Sequence, residues 1–143
     1  MMIRRWSNVS GWLWCAVSAM LVCRGLAAEV AFTVNPLDQV QTFEAHNGFH
    51  LATLAQTPGM NLRLNKLTGR IKLHEHPQSD HFLYLIKGEI ELMVGHETRI
   101  IGPGHLVTIP KGTPHAMTRR GTSEALFLDI ASPPDVGDVV WLE

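Results

Sequence analysis

The chain has 143 residues, room for one domain with one sizeable core and not for two. Its 12 Lys and Arg against 13 Asp and Glu leave no basic excess, so a nucleic-acid partner or a membrane-docking charge patch is not expected. The hydrophobic share of 45% is ordinary for a globular protein, but much of it lies at the front.

Arg4 and Arg5 give a basic start, residues 12–23 form an apolar run without charge, and Gly25-Leu26-Ala27-Ala28 offers small residues for cleavage. This build predicts a secretory signal peptide over residues 1–28, and export of the remainder to the periplasm or the medium. The apolar run is about half of the ~20 residues that a bilayer-spanning helix needs, so no permanent span is expected. Arg4, Arg5 and Arg24 leave with that leader and no acidic residue does, which takes the formal charge from −1 to −4. Cys15 and Cys23 leave as well, so disulfides and thiolate ligands are excluded and any metal must be held by nitrogen and oxygen.

The mature part, residues 29–143, reads as one all-β domain. Short apolar or alternating stretches predict strands at 50–56, 60–67, 71–76, 81–86, 90–94, 98–101, 105–109, 115–119 and 125–130. Gly and Pro break them at Pro58-Gly59, Gly69, Pro77, Gly88, Gly95, Gly102-Pro103-Gly104 and Pro110-Lys111-Gly112. Such regular spacing indicates a sandwich or barrel. Residues 132–138 read as a surface arm, and residues 139–142 as a final short strand or plug.

Three of the eight histidines fall within His74-Glu75-His76-Pro77-Gln78-Ser79-Asp80-His81. Residues two apart in a strand share a face, so His74 and His76 stand about 7 Å apart on one side. His81 opens the next strand after a Pro-containing corner, and His115 follows the stiff Pro110–Pro114 turn. A lone histidine is usually a surface group; three alternating within eight residues point to a shared metal ion.

These spacings resemble the cupin superfamily. Gly69-x4-His74-x-His76-x4-His81-x6-Gly88 is similar to the first cupin motif, G-x5-H-x-H-x3/4-E-x6-G. Gly104-x5-Pro110-x-Gly112-x2-His115-x3-Arg119 is similar to the second, G-x5-P-x-G-x2-H-x3-N. The motif core spans residues 69–119, and the resemblance implies a double-stranded β-helix, a jelly-roll barrel with the metal in its mouth. Two departures bear on chemistry. His81 stands where the family has Glu, as in small single-domain cupins with four-histidine sites, and Arg119 stands where it has Asn.

The expected cofactor is therefore one divalent transition-metal ion (Fe, Mn, Ni, Cu or Zn) held by His74, His76, His81 and His115. With no carboxylate among the ligands the centre keeps a formal +2 charge, which favours a small, anionic, bidentate substrate. Four protein ligands close a tetrahedral site but leave two positions open in an octahedral one. Leu83, Met117 and Phe127 are expected to line the cavity, with Arg119 at its rim if the strand from His115 keeps its alternation. Glu75 and Asp80 read as solvated or supporting groups, Tyr84 as packing between sheets, and Asn61, Arg63 and Asn65 as a solvated outer face. His46, His50, His96 and His105 read as ordinary surface or edge residues.

Three functions fit these features: a metal-dependent oxidoreductase or dioxygenase, a non-catalytic periplasmic metal- or ligand-binding protein, and a metal-dependent isomerase, lyase or decarboxylase. The first has the most support, from the four-nitrogen site and from the oxygen chemistry that the cupin resemblance implies. The lack of an acid/base pair beside the motifs speaks for the second, and the missing carboxylate ligand against the third. Fold alone does not choose among them. Outward apolar residues such as Phe82, Tyr84 and Ile86 suit a homodimer contact.

Overall fold

The structure, a computed structural model, describes residues 36–143 apart from Thr42 and Val136; the leader expected over residues 1–28, with both cysteines, lies outside the described residues. A 3-10 turn at Leu37–Gln39 precedes eleven strands. These are β1 (Glu44–His46), β2 (Phe49–Thr57), β3 (Met60–Leu67), β4 (Arg70–Glu75), β5 (Asp80–Lys87), β6 (Glu89–Val94), β7 (Glu97–Ile101), β8 (Leu106–Ile109), β9 (His115–Arg120), β10 (Ala125–Ser132) and β11 (Val140–Trp141). All nine expected strands are present within a residue or two at each end. β1 is not legible in the sequence: three exposed residues carry no alternation for a reader to find.

Two antiparallel sheets form the barrel, one in the order β1-β2-β3-β10-β5-β8 and the other β11-β4-β9-β6-β7. The chain crosses between them repeatedly, which gives the expected double-stranded β-helix. No helix among the described residues is long and apolar enough to cross a membrane.

Alternation decides what faces inward. In β10 every second residue is buried, namely Ala125, Phe127, Asp129 and Ala131. In β5 the inward set is His81, Leu83 and Leu85. The core between the sheets is built from Ala125, Phe127, Leu83 and Leu85 of these strands and from Leu67, Ile71, Ile90, Leu92, Ile101, Ile109 and Met117. Cross-strand register then stacks rows across β3, β10 and β5: Asn61, Ala131 and His81 in one row, Arg63, Asp129 and Leu83 in the next. Polar residues gather at the end marked by His81, and apolar ones fill the other.

Two expectations are corrected here. Tyr84 points away from His81 and Leu83, in keeping with its outward reading, but at 43% exposure it does not pack between the sheets. Asn61, Arg63 and Asn65 face inward, not outward: Asn61 and Asn65 are buried, and their register partners on β10 are the inward residues Ala131 and Phe127.

Gly88 closes the β5–β6 hairpin with φ of 79°, in the left-handed region. A Cβ there would lie 2.7 Å from the Glu124 carbonyl oxygen and 2.8 Å from the Ala125 Cα. Both the turn and the close approach of β10 therefore require glycine.

Candidate metal centre

β4 and β9 pair so that His74 lies directly opposite His115. A bulge in β4 between Ile71 and His74 shifts the strand by one residue, so both side chains point inward although their numbers differ in parity. His76 follows the end of β4, and its carbonyl accepts the Gly112 N–H at 2.8 Å. Asp80 accepts the Lys111 N–H at 2.8 Å. These two bonds tie the Pro77 corner to the Pro110 turn, so the loops that deliver His76, His81 and His115 hold one another in place.

The four histidines are buried, with exposures of 6% for His74, 8% for His76, 4% for His81 and 3% for His115. Ring centroids are 4.2 Å apart for His74 and His115 and 4.0 Å for His76 and His81. Ligand atoms of His74, His76 and His115 lie within 4.8 Å of one another, as do those of His76, His81 and Asp135.

Every Nδ1 is anchored. The Nδ1–H of His74 donates to the Lys72 carbonyl at 2.7 Å, and that of His115 to the Thr113 carbonyl at 2.9 Å. A carbonyl can only accept, so in both rings the proton is on Nδ1 and the Nε2 lone pair is free. His76 donates from Nδ1 to Asp138 at 3.0 Å, and His81 to Asp129 at 2.8 Å. Nε2 of His81 is buried without a hydrogen-bonding partner among the described residues. An unsatisfied buried nitrogen lone pair is costly unless it meets a proton or an ion. Imidazoles with Nδ1 engaged in this way offer Nε2 as donor, and the convergent ligand atoms of His74, His76 and His115 fit a transition-metal ion.

Electrostatics support the neutral rings. Burial is the largest effect lowering His115, to about 3, with His74 nearby adding to it. His74 and His76 are also lowered, first by burial and then by neighbouring histidines. Burial alone would raise Asp135 and Asp138, yet both are held below the usual carboxylate range. Asp135 is stabilised by Arg63 and Asn61, and Asp138 by His76, Ser79 and the Gln78 N–H. Arg63 is raised: burial would lower it, and the bond to Asp135 with the charge of Asp129 outweighs that.

These carboxylates change the charge expected from the sequence. His81 replaces the motif Glu, but Asp129, Asp135 and Asp138 surround the cluster, with Arg63 the cation paired to them among the described residues. Asp129 and Asp138 stand behind the imidazoles on Nδ1, and Asp135 Oδ2 stands 3.8 Å from Nε2 of His81, so a divalent ion held here would have carboxylate charge close to it.

A cavity of about 320 Å³ opens beside the histidines. Leu83, Met117 and Phe127 line it as expected. Arg119 is not among the lining residues: its guanidinium bonds the Thr122 carbonyl at 2.5 Å and reaches that of Ser123. It lies four residues beyond His115, about 13 Å along the strand towards the other end. His46, expected to be an ordinary surface residue, stacks on Phe49 at 4.8 Å and reaches the lining. Glu75 lies between His74 and His76 and is not part of the lining.

The short strand expected over residues 139–142 is present as β11, paired with β4, but sequence reasoning misses the acids of the arm before it. The arm expected on the surface carries buried Asp135, together with Asp138 on His76, and the ring of Trp141 lies 5.0 Å from that of His74. Asp129 does leave a signal, as an acid in an inward position of an otherwise apolar strand. Asp138 leaves none, being 62 residues from the ring it holds.

Comparison with known proteins agrees with the fold. Residues 63–131 match the Cupin_2 family, described as a cupin domain. The protein TT1209 from Thermus thermophilus is 27% identical with a TM-score of 0.63, over 71% of this chain and 97% of that one. KdgF from Halomonas sp. is 24% identical with a TM-score of 0.61, over 65% of this chain and 86% of that one. A Streptomyces PAC13 variant solved with uridine is 14% identical with a TM-score of 0.64, over 71% and 84% of the two chains. No curated protein sequence matches the chain. The match over residues 63–131 and the shared double-stranded β-helix support a resemblance to the cupin superfamily.

Proposed function

We propose that this domain binds one divalent transition-metal ion through Nε2 of His74, His76, His81 and His115. On this reading it acts as a metal-dependent oxidoreductase, of dioxygenase type, on a small ligand in the adjoining cavity. The observation that carries the metal reading is the outward anchoring of all four Nδ1 atoms, which leaves four Nε2 lone pairs for one ion. Fe, Mn, Ni, Cu and Zn suit imidazole donors to different degrees, and a redox-active ion supplies Lewis acidity and electron transfer.

The reaction class follows from how the carboxylates are used. Both oxygens of Asp138 and both of Asp135 already accept hydrogen bonds, so neither acid is free to shuttle a proton. Asp129 spends one oxygen on His81. Chemistry that runs on an ion and an oriented substrate suits such a site better than chemistry that needs a protein base. Leu83, Met117 and Phe127 give the cavity a dry wall that excludes water from the reacting atoms.

Metal-assisted lyase or isomerase chemistry is the second reading, on one observation. Oδ2 of Asp129, in the cavity wall, has Arg63 at 3.5 Å as an ion-pair partner and is less committed than the other carboxylate oxygens. Export is part of the proposal and rests on residues 1–28.

The test is metal analysis of protein purified from its native compartment, followed by oxygen uptake with diketones, catechols and small thiols. Steady uptake that disappears in His74→Ala is the expected result. Stoichiometric zinc with no oxygen consumption would refute the oxidoreductase and leave a binding protein or a lyase. Fractionation of the producing cells tests export.

A further inference from the structure

We propose that Asn61 and Arg63 form a carboxylate-binding subsite beside the histidine cluster, filled in the isolated chain by its own Asp135 and open to a small hydroxycarboxylate in its place. The inference rests on the cavity being a ligand site, and it names the class of ligand.

Asn61 and Arg63 are two apart on the inward face of β3, in the rows that hold His81 and Leu83. Asp135 accepts from Asn61 Nδ2 at 3.1 Å and from the Arg63 guanidinium. Its Oδ2 lies 3.8 Å from Nε2 of His81, so a carboxylate seated here stands next to the candidate ion. The chain thus displays in this position the chemical group that the position recognises.

Asp135 uses the subsite incompletely. Arg63 Nε and Asn61 Oδ1 are both buried and have no hydrogen-bonding partner among the described residues. A guanidinium offers a two-pronged edge, and a carboxylate aligned with it satisfies both prongs. Asp135 engages only one, and it belongs to an arm that is tied down by the bond between Asp138 and His76. A free carboxylate is not restrained in this way and can take Nε and Nη2 together. A hydroxyl on its neighbouring carbon can donate to Asn61 Oδ1, while the amide nitrogen that Asp135 releases donates to the incoming carboxylate. Exchanging one carboxylate for another also preserves the balance with Arg63 and Asp129.

The probe is glycolate, with uncharged glycolamide as control, titrated calorimetrically into the full chain with and without metal. Wild type should bind glycolate weakly. Asp135→Asn keeps the side chain's size but loses its charge, and should bind about tenfold more tightly, since one charge-assisted bond no longer competes. Adding Arg63→Lys to that variant keeps the charge but not the fork, and should reverse the gain. In wild type, the Arg63 Nε–H resonance should shift on glycolate addition, a readout that needs no variant to fold. Equal glycolate affinity in Asp135→Asn and wild type, or glycolamide binding as well as glycolate, would overturn the subsite. Because the titration is run without metal too, absence of metal binding defeats the metal reading while the subsite is judged separately.

Discussion

Asp129→Asn removes one negative charge while keeping the side chain's size and its place in β10. In the structure Asp129 Oδ1 accepts the Nδ1–H of His81 at 2.8 Å, with the carboxylate only 12% exposed. Among the described residues no other group bonds this ring, because His81 Nε2 has no hydrogen-bonding partner. The carboxylate therefore sets the tautomer that presents Nε2. A hydrogen bond to a charged group contributes about 1.5–3 kcal/mol, and loss of such a support commonly weakens metal affinity by about 10–100-fold. An amide can still accept from Nδ1, so the lower part of that range is expected, about tenfold. The assay is competition with a chelator of known affinity, using the same metal for wild type and variant. Asp138→Asn, which removes the charge that His76 donates to, should behave alike, whereas Glu75→Gln should change nothing, since Glu75 is not among the residues that anchor a ring. His74 and His115 offer no such handle, because their anchors are backbone carbonyls. Metal affinity unchanged within a factor of two in both aspartate variants would refute the claim that these carboxylates tune the cluster.

The metal-free protein should lose stability as the pH falls from 7 towards 5. His115 takes its proton only at about 3 in the folded chain, whereas the unfolded chain takes it near 6.5. Between those values the unfolded state binds more protons, so lowering the pH favours unfolding by about 1.4 kcal/mol per unit for this one group. His74 and His76 are lowered too and act in the same direction. The depressed carboxyls of Asp135 and Asp138 add stability that is present above their ordinary range and lost as the pH drops through their folded values. Urea midpoints measured from pH 7 to 5 check this, and a flat profile would contradict the buried, neutral rings. Gly88→Ala should cost at least about 1–3 kcal/mol from the left-handed backbone alone. The contact with the Glu124 carbonyl adds to that, and the thermal midpoint should drop without any direct effect at the histidines.

How much of the site is legible depends on how local its determinants are. His74, His76 and His115 sit at short spacings between fixed turns, so their convergence can be read from the motif positions. The strands at 81–86, 115–119 and 125–130 show their inward faces by period-two alternation, and that places Leu83, Met117 and Phe127 at the cavity. Arg119 escapes this reasoning because alternation gives the face of a strand but not the distance along it from the mouth. Asn61 and Arg63 look solvent-facing as long as polarity is taken as a sign of exposure. In the fold the same polarity is satisfied by Asp135, an acid more than seventy residues later.

Sequence alone determined the succession of strands and the Gly and Pro corners, and it singled out four histidines as candidates. Strands and corners could be read because they depend on near neighbours along one chain. Tertiary structure decided the β4 bulge that brings Ile71 and His74 to the same side. It also decided the carboxylates behind His76 and His81 and the return of the C-terminal arm to the histidine end of the barrel. Those depend on contacts between residues distant in sequence, and they set the carboxylates of Asp129, Asp135 and Asp138 around histidines that the sequence reading left without acidic partners.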